Sequence, residues 1–457
     1  LAFYILSHDL GTTGDKATLF SEDGRLITSV FKEYPTSHPQ PTWAEQDPND
    51  WWSAFVLSTR ELLRRSHIHP RDIIAIGLSG MMMACLPVDR KGNPLRKSII
   101  WMDQRSMQEA HYIRERIGED NFYNMTGNRI SPPLTIAKIL WLKKNQPEIY
   151  KKAHVFLQVK DFITYRLTKR FVTDFSDASL AGLLDINMRN WAYELIESIG
   201  ISADKLPELH ASTDVVGEVD KEAAEQLGLS SKTVVVVGGG DGACATAGAG
   251  VIEPGQAYNY IGASSWIATC SEKPLLDPKM RIFSMWHLDP SKIVPVGTMQ
   301  AAGASYRWLR DEICQPEVVK AKELKISPYQ VMDSEAEKMD PGAGRILFLP
   351  YLIGERAPWW NPNARGVFFG LALGHKRAHL IRATLEGVAF NLKIILDIFE
   401  ELGIGIKEIR LIGGGARGKV WREIMANIYG KAVMALELLE EATSLGAAIA
   451  AGVGAGI

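Results

Sequence analysis

Cysteine is scarce in this chain, with four in 457 residues. Cys85, Cys244, Cys270 and Cys314 are scattered, form no Cys-x-x-Cys pair, and lie for the most part in apolar surroundings. That pattern argues against a zinc ribbon or a disulfide framework and for buried thiols in a reducing cytoplasm. Long apolar runs are also missing, so no membrane span is expected. The opening LAFYILSHDL is too short for a signal peptide and lacks its charged start, and it reads as a strand over residues 2–7. Neither sign of charge dominates. A formal net charge of −2 leaves no electrostatic case for nucleic acid or an anionic membrane as a partner. What is present, 46% hydrophobic and 23% charged residues, is an ordinary globular composition. The length predicts two or more domains. No low-complexity linker separates them, and Pro254-Gly255 is the strongest punctuation, dividing the chain into 1–250 and 251–457.

The chain is organised around Thr233 to Gly250, TVVVVGGGDGACATAGAG. Val234 to Val237 read as a buried central strand of a parallel sheet. Gly238 to Gly240 allow a sharp turn at its carboxyl end, and the small residues from Ala243 to Ala249 continue as a helix able to pack very closely. Asp241 therefore stands where a strand becomes a helix, the place where open α/β sheets bind ligands. Two readings fit it: the general base of a phosphoryl transfer, or a cap for the helix that follows.

The first strand ends in Asp9-Leu-Gly-Thr-Thr-Gly-Asp-Lys16. Residues 17–20 and 26–31 form a hairpin around Asp23-Gly24. Amides and hydroxyls of Gly11, Thr12 and Thr13 are suited to surround phosphate oxygens. Asp9 would face them through Mg2+, since a bare carboxylate repels them, and Lys16 would add a point charge. A plain β-turn is the alternative.

Asp47-Pro48 opens a helix to about Ser66. Ile73 to Leu78 form a strand that runs into Met81-Met82-Met83-Ala84, either core filler or a substrate wall. Trp101, Asp103 and Arg105 combine an aromatic face with charged groups, as sugar sites do; a surface ion pair is the alternative. The segment around Asp174, Asp177 and Ser179 is polar and turn-rich. Gly262-Ala-Ser264 follows another strand and faintly echoes the turn at Gly11. Gly413 to Val420, GGGARGKV, misses a P-loop by one residue, because Val420 stands where the Mg2+-binding hydroxyl belongs.

Four motifs in this order, Asp9-Leu-Gly-Thr-Thr, Trp101-x-Asp103-x-Arg105, Gly239-Gly-Asp241-Gly and Gly413-Gly-Gly-Ala, resemble the FGGY family of carbohydrate kinases. Lys138-Ile-Leu-Trp141-Leu-Lys-Lys-Asn145 fits the family's first signature, apart from Pro133. Gly366 to Leu371 with His379 to Glu386 fits the second. The resemblance covers almost the whole chain and is nearest in pattern to xylulokinases. It implies an α/β fold of two actin-like, ribonuclease H-like domains with an interdomain cleft. ATP, Mg2+ and a sugar or polyol would meet there, and a homodimer is a family expectation. Asp241 resembles the base and Asp9 the carboxylate near the metal. Met82, Met83, Trp101 and Asp103 fall at the sugar. Gly11, Thr12, Thr13 and Lys16 fall at the first phosphate loop, and Gly262 and Ser264 at the second. Gly303, Gly414, Gly415 and Ala416 fall at the adenosine. Xylulokinases usually carry Gln-Met-His-Gly where this chain has Met81 to Ala84, which opens the substrate to gluconate, ribulose, L-fuculose, a tetritol or an autoinducer-type diol. Asn427 stands where the family often has Asp. An actin-like ATPase chaperone and a non-catalytic sugar sensor are the competing classes.

Overall fold

Two mixed sheets organise the computed structural model, which describes residues 3–457. The first sheet has the order 215–218, 234–236, 73–80, 4–10, 14–21, 26–33. Tyr4–Leu10 pairs antiparallel with Gly14–Ser21 and parallel with Ile73–Gly80, which pairs parallel with Val234–Val236. The second sheet has the order 283–286, 293–299, 265–269, 256–261, 408–412, 432–435. From Ile293–Met299 inward it repeats the first: three antiparallel strands, then two joined in parallel. The turn at Gly262 thus occupies the same topological place as the turn at Gly11. The echo seen in the sequence is a repeat of architecture.

Local chemistry explains the elements. Asp47 caps Pro48–Ser66 by accepting the Asn49 N–H at 2.9 Å, and Trp51, Trp52, Phe55 and Leu62 bury the inner face of that helix. Beneath it, the buried His8 and Asp15 pair at 2.9 Å, and the His8 ring stacks on Phe55 at 3.7 Å. The first strand starts at Tyr4 and runs on to Leu10, so Asp9 lies inside it; Ala2 falls outside the described residues. The valine strand is interior but not central, and it stops at Val236. Gly238 turns with φ +70°, where a Cβ would lie 1.8 Å from the Leu78 carbonyl oxygen. Gly239–Gly240 then rejoin the sheet beside Ser79 and Gly80. All four cysteines are buried and free. Among the described residues no helix is long and apolar enough to cross a membrane.

A division of the chain at Gly250 misses one feature. The two small-residue helices are exchanged between the sheets. Asp241–Gly248 buries Ala243, Cys244 and Ala247 with Tyr258, Val294, Val296 and Ile412 of the second sheet. Ala442–Ala455 buries Ala448 and Ala451 with Ile5, Phe20, Ala75 and Val236 of the first. Their backbones touch: a Cβ on Gly446 would lie 1.9 Å from the Cys244 carbonyl oxygen, and one on Gly248 1.7 Å from that of Ala442. Glycine is required here by contact, not by dihedral. Gly446→Ala should therefore destabilise by about 1–3 kcal/mol, although alanine alone favours a helix by about 0.5–1 kcal/mol. Gly374→Ala, where a Cβ meets nothing within 4 Å, should change stability by less than about 0.5 kcal/mol. Urea midpoints of the two variants decide it.

Candidate active site

Strand register brings the two expected carboxylates to one place. Asp9 lies opposite Ser79, whose hydroxyl donates to Asp9 Oδ1 at 3.0 Å. Gly239 and Gly240 lie opposite Ser79 and Gly80 from the other side. Asp9 and Asp241 therefore flank the carboxyl end of a single strand. Both are half-buried. Burial pushes the Asp241 carboxyl up to about 7, helped by the negative charge of Asp9. Burial pushes Asp9 up to about 6, against the Ser79 hydrogen bond and the Lys16 charge. Gly240 occupies the cap position of the helix, and Asp241 is its first residue. The Asp241 carboxylate makes one hydrogen bond among the described residues, from the Gly242 N–H to Oδ1 at 2.7 Å. Its other oxygen has no hydrogen-bond partner among the described residues.

The wall beside this pair comes from three segments. Met82 is buried against the glycines, where a Cβ on Gly240 would lie 2.6 Å from its Sδ. Met83 is half-buried with φ +63°, a left-handed conformation that is uncommon for a side chain of this size. Lys138, fully buried, donates to the carbonyl oxygens of Met83 at 2.6 Å and Ile100 at 2.9 Å, and burial lowers its ammonium to about 7. One side chain thus ties the methionine turn to the strand end before Trp101. Trp101 Nε1 donates to Thr12 Oγ1 at 2.9 Å and joins that wall to the turn after the first strand.

The turns are partly self-satisfied. The Gly11 N–H closes onto the Gly14 carbonyl at 3.0 Å, and the Gly262 N–H onto that of Ser264 at 2.9 Å. Neither glycine amide is free for phosphate, contrary to the expectation for Gly11; Thr12, Thr13 and the half-buried Ser264 form the tips. Lys16 reaches across to the second lobe and donates to the Glu440 carbonyl at 2.9 Å. Behind the second turn lies a cavity of about 600 Å³ lined by Gly262, Gly303, Gly414 and Gly415. Gly303 is held tight, since a Cβ there would lie 2.3 Å from the Gly262 carbonyl oxygen. Ala416 differs from its expected place: its side chain is fully buried in the core behind the cavity. Lys419 of the near-P-loop has a side chain 77% exposed beside Glu423, so it approaches no phosphate site.

The N-terminal domain of the FGGY family of carbohydrate kinases matches residues 4–248, and the C-terminal domain of that family matches residues 257–455. A gluconokinase of Bacillus subtilis is 36% identical over 98% of this chain and 86% of its own length. A xylulose kinase of the same organism is 33% identical over 99% and 88%. A ligand-bound xylulose kinase from Lactobacillus acidophilus superposes with a TM-score of 0.89 at 29% identity, covering 99% of this chain and 89% of that one. The chain belongs to the FGGY family of carbohydrate kinases. It is a kinase, and ATP is its co-substrate.

Within this kinase several site residues carry no motif. Tyr260 stacks on Trp266 with ring centroids 4.0 Å apart, and burial together with the charges of Asp241 and Asp9 raises its phenol. Trp266 Nε1 donates to the Tyr258 hydroxyl at 2.7 Å, and that hydroxyl donates to the Gly242 carbonyl at 3.2 Å. The second sheet thus braces the Asp241 turn with an aromatic hairpin. Its only sequence signal was the pairing of Tyr260 with Trp266 across a short turn. In the cavity, the Tyr306 hydroxyl donates to Asp333 Oδ1 at 2.7 Å, and burial raises the Asp333 carboxyl.

Asp103 requires a correction. It does not reach the cleft. Fully buried, it accepts the Ala44 N–H at 2.6 Å and the Arg105 Nη2 at 2.7 Å on Oδ2, and the Arg105 backbone N–H at 2.9 Å on Oδ1. Arg105 also lies 3.7 Å over the Trp43 ring and pairs with Glu45 at 2.7 Å. The Trp-x-Asp-x-Arg motif therefore supplies one aromatic to the site and an ion pair behind it. Asp103→Ala leaves the Arg105 charge facing Glu45 alone and should cost about 3–5 kcal/mol of stability. Calorimetry showing a loss under about 1 kcal/mol would contradict this placement.

Proposed function

We propose that this kinase transfers the γ-phosphoryl group of ATP to a hydroxyl of a sugar or polyol, with Asp241 as the general base. The carrying observation is the Asp241 carboxylate: one oxygen unpartnered, its proton affinity raised to about 7, beside Asp9 at the end of the same sheet. A base of that strength shares a hydroxyl proton near neutral pH. In the step we envisage, the hydroxyl gives its proton to Asp241, its oxygen bonds to the γ-phosphorus, and the bond from that phosphorus to the bridging oxygen of ADP breaks. The transfer demands mainly positioning and charge stabilisation. The tips of the two turns and Lys16 are suited to the phosphates, and the 600 Å³ cavity to the adenosine.

Asp9 and Asp241 fit a Mg2+ that arrives with the nucleotide, because Mg2+ is usually held by one or two carboxylates plus phosphate oxygens. No cluster of three or more metal-ligating side chains exists among the described residues, which favours a shared ion over one held by protein alone. When bound, the ion would offset charge on the phosphates.

For the substrate, the first reading is a ketopentose of the xylulose type, supported by the xylulose kinases among the relatives. A second reading, gluconate, is favoured by the gluconokinase relative and by Met83. Where xylulokinases usually offer a His to a sugar hydroxyl, the thioether of Met83 is a weak acceptor and no donor. A homodimer belongs to the same proposal. Leu347 pairs with Phe369 and Leu349 with Val367 on a two-stranded ribbon, and all four side chains are exposed. The free buried thiols support a reducing compartment.

ADP release measured with xylulose, gluconate and a panel of polyols should depend strongly on one of them. Sugar-independent hydrolysis would instead point to an actin-like ATPase. Asp241→Asn should keep the fold and ATP binding while kcat drops about 10²–10⁴-fold; near-normal turnover of that variant on the best substrate would remove the base assignment.

A further inference from the structure

The polar stretch around Asp174 has no part in the chemistry above, yet it is built around one buried carboxylate. Asp174 Oδ2 accepts the Ser176 N–H at 2.8 Å, the Ser176 hydroxyl at 2.5 Å and the Ser212 hydroxyl at 2.9 Å. Oδ1 lies 2.9 Å from Lys160 Nζ. Lys160, Asp174 and Ser176 have no exposed surface. Lys160 also meets Asp161 at 2.8 Å and Asp177 at 3.2 Å; its single positive charge offsets only part of this network, and burial raises the Asp161 and Asp177 carboxyls. The network has one outlet toward the site. Ser176 Oγ accepts the Gly240 N–H at 2.9 Å, the amide immediately before Asp241. A Cβ on Gly239 would lie 3.1 Å from that same oxygen, so the glycine pair is packed onto it.

Three consecutive glycines, Gly238 to Gly240, precede Asp241, and glycine backbone has more freedom than any other. None of them has a side chain to lodge in the core. The direction of Asp241 is therefore set by what holds the Gly239–Gly240 peptides from outside: the pairing with Ser79 and Gly80 on one side and the Ser176 hydroxyl on the other. We propose that Ser176 is a positioning residue for phosphoryl transfer: its hydroxyl, fixed by Asp174 and Lys160, pins the Gly240 amide and so aims Asp241. This rests on the reading of Asp241 as the base.

Ser212 supplies a matched control. It loses a hydroxyl hydrogen bond to the same Asp174 oxygen when changed to alanine, but its side chain makes no bond to Gly240. Ser176→Ala should lower kcat about 10- to 100-fold, since misplacement of a reacting group by about 1 Å has that effect, while KM for ATP stays within about twofold. Ser212→Ala should keep kcat within about twofold of the parent while lowering Tm by less than Ser176→Ala does, because only the latter also leaves the Gly240 N–H without its partner. Equal kcat for the two variants overturns the proposal. So does failure of Ser176→Ala to fold, because the hydroxyl would then hold the fold and not the aim. Asp241→Asn assayed alongside separates the two claims. If it is inactive while Ser176→Ala is normal, only this inference fails. If it turns over normally, the base assignment itself fails.

Discussion

Parallel strand register is the constraint on which the site depends. Ser79 and Gly80 end the strand that lies between Asp9 and the Gly239–Gly240 pair. Neighbouring strands are about 4.8 Å apart, so two carboxylates on either side of one strand end cannot drift from each other without breaking the sheet. The same proximity has an electrostatic consequence. Each half-buried carboxylate is disfavoured as an anion by lost solvation, and Asp9 adds repulsion to Asp241. The fold thus stores an affinity for protons and cations where its two sheets face each other.

Around that constraint the molecule repeats one plan. Each sheet offers a hairpin turn, at Gly11 and Gly262, and each sends a small-residue helix against the other sheet. Backbone contact between Gly446 and Cys244, and between Gly248 and Ala442, makes these helices a shared spine. Because one of them begins with Asp241, any movement of one sheet relative to the other is felt at the carboxylate proposed as the base. The Lys16 contact to the Glu440 carbonyl crosses the same divide. A side chain suited to phosphate is tied to the opposite lobe by a single hydrogen bond, an arrangement that incoming phosphate can replace at small cost.

Much of this was legible in the sequence, for physical reasons. Strand ends followed by glycines and an acid are local patterns, and both carboxylates were found through them. The Asp47-Pro48 cap and the Asp23-Gly24 hairpin were legible in the same way. The place of Asp103 is not legible in the sequence, because a carboxylate next to an arginine looks alike in a cleft and behind one. Burial decides between those, and burial comes from Ala44 and Trp43, far off in the chain. The use of the Gly11 amide inside its own turn is not legible either, since sequence does not show which turn amides are taken internally. Tyr306 and Asp333 stand on separate helices and met no motif, since only tertiary packing brings them to one cavity. The helix exchange was invisible for the same reason: the runs of Gly and Ala signalled close packing but not the partner.

In the proposed reaction both substrates meet between Asp9 and Asp241. A crystal structure with the best sugar substrate and a non-hydrolysable ATP analogue tests it most directly. The expected result is a substrate hydroxyl within about 2.6–3.2 Å of the unpartnered Asp241 oxygen, pointing at a terminal phosphate held between the tips at Thr12 and Ser264. A sugar bound away from Asp241, or a terminal phosphate outside the space between those two turns, would contradict it.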